Sequence, residues 1–145
     1  MQTINWYPGH MAKAKRMLED NIKLVDMVIE IVDARAPLAC RNPDFEELFR
    51  NKLRVVVLNK SDLSSKSQNK AWIAYFKQQG ITAVELVSTN PSSRKNAIAL
   101  IERTGAETVK RFRDKGIHKT LRAMIVGVPN VGKSTFINRI AGTAK

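Results

Sequence analysis

A three-layer α/β domain with a mostly parallel sheet is the architecture that this 145-residue sequence predicts. Three observations predict it. Apolar runs of strand length alternate with segments of helical periodicity. The run from Leu53 to Leu58 is nearly continuous in apolar residues, as a parallel strand covered on both faces should be. Two loops of ligand-binding composition each follow a strand, and open α/β sheets bind ligands at the carboxyl ends of their strands.

The elements follow in order. From about His10 to Leu24, Met11, Ala14, Leu18 and Ile22 recur on one helical face with lysines elsewhere. Val25 to Val32 is rich in β-branched residues and reads as a strand, stopped at Asp33-Ala34-Arg35-Ala36-Pro37, where proline breaks regular structure. Asn42-Pro43 opens a short helix through Phe45, Leu48 and Phe49, with Asp44, Glu46 and Glu47 near its positive end. The strand Leu53–Leu58 delivers Asn59-Lys60-Ser61-Asp62. Ser67 to Gln79 forms a helix through Trp72, Ile73 and Phe76, ended by Gly80. Ile81 to Val87 is a third strand. Beyond Asn90-Pro91-Ser92-Ser93 a helix is expected from Lys95 to about Arg113, with Gly105 as its weak point. Leu121 to Val126 is a fourth strand, and Lys133 to Ile140 begins a last helix.

Composition narrows the class. Hydrophobic content of 43% and charged content of 26% fit one globular domain spanning residues 1–145. No apolar stretch approaches the roughly 20 residues needed to span a bilayer. The N-terminus lacks the basic and apolar regions of an export signal, and no lipidation signal stands out, so a cytoplasmic location without membrane contact is expected. The one cysteine, Cys40, has no partner for an internal disulfide and reads as a loop or core thiol. Twenty-five Lys and Arg against thirteen Asp and Glu give a net charge of +12. Solubility plus a few nucleotide-facing cations is one reading of the excess; because a nucleotide occupies only a few cations, RNA is the better explanation for the rest, and no DNA partner is expected.

Two motifs carry the chemistry. Gly127-Val128-Pro129-Asn130-Val131-Gly132-Lys133-Ser134 matches G-x-x-x-x-G-K-[ST] at every defined position, with a strand before it and a helix after it. In such a loop, backbone N–H groups and the helix N-terminus face a β-phosphate. Lys133 supplies charge to the β- and γ-phosphates, and the Ser134 hydroxyl is a magnesium ligand. The nucleotide-binding set here is Asn130, Val131, Gly132, Lys133, Ser134 and Thr135. Asn59-Lys60-Ser61-Asp62 fits N-K-x-D. The Asp62 carboxylate would accept from guanine N1–H and the exocyclic amine, a donor pair that adenine lacks. Asn59 would bond the other edge of the base, and the Lys60 stem would cover one of its faces. Ser88 and Thr89, in Val87-Ser88-Thr89-Asn90, stand where a further base-contacting loop would lie, although a plain loop is an equal alternative. GTP or GDP with magnesium is therefore the expected ligand. The phosphate loop follows the base-reading motif, which inverts the usual order and predicts a circularly permuted P-loop GTPase fold.

The combination of Trp6-Tyr7-Pro8-Gly9-His10-Met11, Asp33-Ala34-Arg35-Ala36-Pro37, Asn59-Lys60-Ser61-Asp62 and the late phosphate loop resembles the ribosome biogenesis GTPase A family. The resemblance runs from about Asn5 to Ala141. It implies a GTPase that assists assembly of the large (50S) ribosomal subunit, its nucleotide cycle gating contact with the precursor particle and ribosomal RNA. It also implies that His10 acts in hydrolysis and that Asn130 helps bind potassium. A histidine at a helix start and a turn-forming Pro-Asn pair remain open as structural readings of these two residues. Asp33 and Arg35 match a family signature assigned to structure or partner contact, and His118 matches no functional motif.

The family pattern continues with a switch threonine, an Asp-x-x-Gly element and a helical C-terminal domain, all expected after Lys145. The 145 residues are accordingly expected to be a truncated GTPase domain, weak or inactive in hydrolysis, with apolar surface exposed where a central strand lacks its neighbour. Two other readings stay open: a basic RNA- or ribosome-binding module in which the nucleotide is structural, and a permuted GTPase of the small subunit or an organelle.

Overall fold

Parallel pairing organises the molecule. The computed structural model describes residues 4–8, 20, 22–38 and 44–127. Within them the elements are β1 (Ile4–Pro8), β2 (Met27–Asp33), α1 (Asp44–Leu48), β3 (Leu53–Asn59), a 3-10 turn (Ser61–Leu63), α2 (Lys66–Gln78), β4 (Thr82–Leu86), α3 (Pro91–Asp114) and β5 (Leu121–Val126). The five strands form one sheet in the order β1-β5-β2-β3-β4, every neighbouring pair parallel. The first part of the helix expected over 10–24, together with His10, Cys40, Asn42-Pro43 and residues 128–145, lies outside the described residues.

Strand alternation sorts the core into two faces. Met27, Ile29 and Ile31 of β2, Val55 and Val57 of β3, Leu86 of β4, and Leu121, Ala123 and Ile125 of β5 point one way, against Ala97 and Ile101 of α3. On the opposite face, Val28, Met124 and Val126 meet Phe49, Ile22 and Val25. Beside them, Val32, Val56, Leu58 and Ala83 meet Phe76 of α2. Helices on both faces of a parallel sheet give the expected three layers. A fully buried Ile, Leu or Phe contributes about 2 kcal/mol, so these alternating positions fix each strand's register.

One charged group interrupts the apolar second face. Glu30 is 3% exposed in mid-β2 and accepts from Arg54 Nη2 at 2.7 Å, and Arg54 also donates to Glu46 at 3.0 Å. Burial works against the Arg54 charge, but its hydrogen bonds to the Glu46 and Glu30 carboxylates, with their charges, outweigh it and raise its pKa. The Glu30–Arg54 pair bridges β2 and β3, and the bond from Arg54 to Glu46 ties α1 to the sheet.

Strand and helix ends shift by one or two residues from the sequence expectation, and two larger differences stand out. Helix α3 starts at Pro91 rather than Lys95, because the Asn90 side chain accepts from Ser93 N–H at 3.2 Å and Pro91 occupies the first turn. The segment that reads as a loop is the helix cap. The second difference is β1, which pairs with β5 from Ile4↔Leu121 to Pro8↔Ile125. β5 therefore has a strand on each side, and the expected gap beside a central strand is not seen there.

Gly105 is less a weak point than a contact. A Cβ there would overlap Leu121 Cδ1 and sit 3.3 Å from Met27 Cε, so α3 rests on the sheet at this glycine. In an open helix Gly→Ala stabilises by about 1 kcal/mol; here overpacking costs roughly 1–3 kcal/mol. Gly105→Ala should therefore lower stability by about 1 kcal/mol in urea denaturation, and a gain in stability would contradict the close approach.

Candidate nucleotide-binding site

The sheet has one point at which its strand order reverses. From β2 the chain builds outward through β3 to β4, then returns by α3 to place β5 on the other side of β2. At such a switch point the loops leaving the two strands diverge and open a crevice. Parallel strands bring their carboxyl ends to one edge, so Gly127 after β5, Asp33 of β2, Asn59 of β3 and the loop after β4 all arrive there. With strands about 4.8 Å apart, the β5 and β3 ends lie roughly 10 Å from each other, close to the span from a purine to its β-phosphate.

The turn expected to read the base is built by hydrogen bonds. Asn59 is 1% exposed, and its Oδ1 accepts from Ser88 Oγ at 3.3 Å, joining the N-K-x-D turn to the loop after β4. Its carbonyl accepts from Ala34 N–H at 2.8 Å, joining it to β2 as well. Lys60 then adopts φ 58°, the sole positive φ of a non-glycine residue among the described residues, and reverses the chain into the 3-10 turn. Ser61 Oγ donates to the Leu58 carbonyl and accepts from Leu86 N–H at 3.0 Å, stapling the ends of β3 and β4 together. Asn69 of α2, 1% exposed, donates to the Ser61 carbonyl at 3.1 Å and to Glu85 Oε2 at 3.3 Å. Asp62 stands exposed on this fixed turn with no partner among the described residues. An uncommitted carboxylate on a rigid support is what accepting two hydrogen bonds from a base edge requires.

The neighbouring loop divides its residues between two jobs. Ser88 reaches Asn59, its carbonyl accepts from Arg94 at 2.8 Å, and Thr89 is exposed beside it. Asn90 is used as the helix cap, and Ser93 Oγ accepts from Val87 N–H at 2.8 Å. The structure thus brings Asn59, Lys60, Asp62, Ser88 and Thr89 to one edge of the sheet. Of the phosphate loop it describes Gly127, buried at the end of β5. His10 and the residues from Asn130 to Thr135 lie outside the described residues, as do the oxygens expected to hold magnesium and potassium.

Asp33 and Arg35 also belong to this edge. Arg35 donates from Nε at 2.9 Å and from Nη2 at 2.6 Å to the two carboxylate oxygens of Asp33, and its backbone N–H adds a third bond at 2.9 Å. Lys60 Nζ lies 3.8 Å from the same carboxylate. The Arg35 hydrogen bond, more than the burial that opposes it, lowers the Asp33 pKa to about 2. Asp33 is thereby kept ionised beside the lysine expected to cover the base. Asp33, expected from the sequence to serve structure or partner contact, is held by Arg35 here, whereas Ser61 and Asn69 are supporting residues that the motifs do not mark. Ser61 occupies the undefined position of N-K-x-D, and a lone asparagine in an amphipathic helix carries no signal of its own.

Three comparisons bear on this site. Residues 122–145 match the family described as 50S ribosome-binding GTPase. The chain is 46% identical over 139 residues to ribosome biogenesis GTPase A of Bacillus cereus, covering 95% of this chain and 47% of that one. It is 38% identical over 136 residues to mitochondrial ribosome-associated GTPase 1 of Bos taurus, covering 93% and 40%. The crystal structure of GNP-bound YlqF from T. maritima superposes with a TM-score of 0.66 at 34% identity, covering 90% of this chain and 48% of that chain. The GDP-bound form gives 0.64 at 32% identity, covering 88% and 48%. The resemblance seen in the motifs thus extends over nearly the whole chain, which spans about half the length of the curated relatives it matches.

The Asp33 pair has a pH signature. A carboxylate whose pKa falls on folding contributes stability that is fully present above its unfolded value of 3.8 and is lost as the pH falls through about 2. The shift alone corresponds to about 2 kcal/mol. Arg35 is 51% exposed, so screening reduces the expected contribution to about 1 kcal/mol. Asp33→Asn should cost that amount at pH 7 in chemical denaturation, with the gap to the unmutated protein narrowing below pH 4. A gap independent of pH down to 2 would remove the ion pair from the account.

Proposed function

We propose that this chain is the nucleotide-binding portion of a GTPase acting in ribosome assembly, holding GDP or GTP across the carboxyl ends of β5, β2 and β3. The observation that carries the proposal is the arrival at one switch-point edge of Gly127, which opens the phosphate loop, and of the rigid Asn59–Asp62 turn. On this reading Asp62 accepts from guanine N1–H and the exocyclic amine, the Lys60 stem lies on the base, and the Asn59–Ser88 link holds the two base-side loops at a fixed distance. Lys133 and the loop N–H groups take the phosphates. Ser134 and Asn130 offer the hard oxygen donors that suit magnesium and potassium, ions that supply positive charge to the phosphates when bound. His10 is the proposed group for orienting the attacking water, a role open to an imidazole within hydrogen-bond reach of the γ-phosphate.

Relatives named as ribosome biogenesis GTPases, and a family described as 50S ribosome-binding, support the large subunit or its precursor as the partner. The nucleotide cycle would then set residence on that particle, with GTP ordering the contact loops and hydrolysis releasing them. A cytoplasmic location agrees with this role, and among the described residues no helix is long and apolar enough to cross a membrane. The net charge of +12 favours a second reading, a basic ribosome-binding module whose nucleotide is structural. Ribosome association that ignores GTP analogues but falls steeply with salt would select it.

Asp62→Asn decides whether the turn reads guanine. An amide places a donor where the carboxylate accepted, so GDP affinity should fall about 100-fold, the equivalent of roughly 3 kcal/mol, while xanthosine diphosphate binding improves. Calorimetric titration of both nucleotides measures this. Retained guanine preference in the variant would show that Asp62 is not the base reader.

A further inference from the structure

The opposite edge of the sheet, where the strands begin, carries a second concave surface that the nucleotide chemistry does not use. A cavity of about 520 Å³ is lined by Lys23, Leu24, Asp26, Lys52, Lys119 and Arg122, and by His118. These residues immediately precede or open β2, β3 and β5, so the cavity bridges the three central strands at their amino ends. Strands of about seven residues place it roughly 20 Å from the nucleotide edge.

Its charges fall into two kinds. Lys52 and Lys119 are half-buried and held in place: Lys52 Nζ donates to the Val25 carbonyl at 2.8 Å, and Lys119 lies 3.1 Å from Asp26 and over the Phe112 ring. Asp26 is itself fixed, since its N–H donates to the Arg122 carbonyl at 2.8 Å and its carboxylate accepts from Arg122 N–H at 3.0 Å. Lys23 and the Arg122 side chain are exposed and have no partner among the described residues. Four cations thus face one carboxylate, and that carboxylate is already paired. The cations in the last turn of α3, Arg111 and Arg113, complement the helix dipole. Lys23 and the Arg122 side chain, in the cavity, have no such explanation. Leu24, 60% exposed within the same lining, adds an apolar surface suited to a ribose or base.

We propose that this cavity is an RNA docking site, in which the ordered Lys52 and Lys119 and the uncommitted Lys23 and Arg122 receive consecutive backbone phosphates. Naming RNA rather than another polyanion rests on the ribosome-assembly reading above. The surface lies on the far side of the sheet from the nucleotide, so RNA can be held while guanine nucleotides exchange.

The test compares two double charge reversals of equal net charge. Lys23→Glu/Arg122→Glu alters the cavity, and Lys70→Glu/Lys77→Glu alters exposed positions of α2 outside its lining. The probe is a fluorescein-labelled RNA hairpin of about 20 nucleotides, read by anisotropy across a salt series, with thermal melts confirming that both variants fold and GDP calorimetry run in parallel. The cavity variant is expected to lose tenfold or more in RNA affinity and to flatten the log–log salt slope by about two, whereas the α2 variant changes by less than about threefold. GDP affinity stays unchanged in both. Equal losses in the two variants would reduce the site to diffuse charge and overturn the proposal. Unchanged RNA binding by the cavity variant, with lost co-sedimentation with 50S particles, would assign the surface to a ribosomal protein and overturn it also. Absent GDP binding in the unmutated protein would break the nucleotide reading while leaving the RNA comparison decisive.

Discussion

The pairing of β2 with β5 is the constraint on which the rest depends. These strands lie almost a hundred residues apart in the chain, yet Met27 to Glu30 align with Ala123 to Val126 in parallel. The reciprocal bonds between Asp26 and Arg122 fix the register at the amino end. Because β2 also pairs with β3 along its length, this one contact brings the end of the last strand within two strand widths of the N-K-x-D turn. A one-residue slip would turn Leu121, Ala123 and Ile125 away from α3 and move Gly127 along the edge. The apolar alternation that prevents the slip is therefore also what aligns the site.

From that constraint the two ends of the sheet acquire different characters. At the carboxyl ends, polar bonds stiffen loops: Ser61 staples β3 to β4, Asn69 anchors the turn from α2, and Asp33 faces Lys60. At the amino ends, cations gather around a carboxylate that is already occupied. The first arrangement suits a small ligand that must be held in one geometry. The second suits an extended polyanion, for which field and spacing matter more than orientation.

Much of this was legible in the sequence because the signals were local. The strands from Leu53 and from Leu121 are unbroken or alternating apolar runs, and Gly80 ends α2 with φ 77°, the backbone state that glycine alone adopts without strain. The N-K-x-D and phosphate-loop motifs fall at strand ends, as their spacing requires. What was not legible depends on partners far along the chain. Ile4–Pro8 is short and ends in proline, and it becomes a strand through pairing with β5, more than a hundred residues away. Asn90-Pro91 has the composition of a loop and of a helix cap alike, and only the bond to Ser93 decides between them. Gly105 looks like a defect in a helix until Leu121 is found beneath it.

The proposed guanine nucleotide lies across the ends of β5, β2 and β3, and mapping amide chemical-shift changes as GDP and magnesium are added to isotope-labelled protein tests that position. The account predicts shifts concentrated at Gly127, at Asn59 through Asp62 and at Ser88 and Thr89, with Lys23, Lys52 and Arg122 unmoved. Shifts confined to the amino-end cavity, or none at saturating GDP, would contradict it.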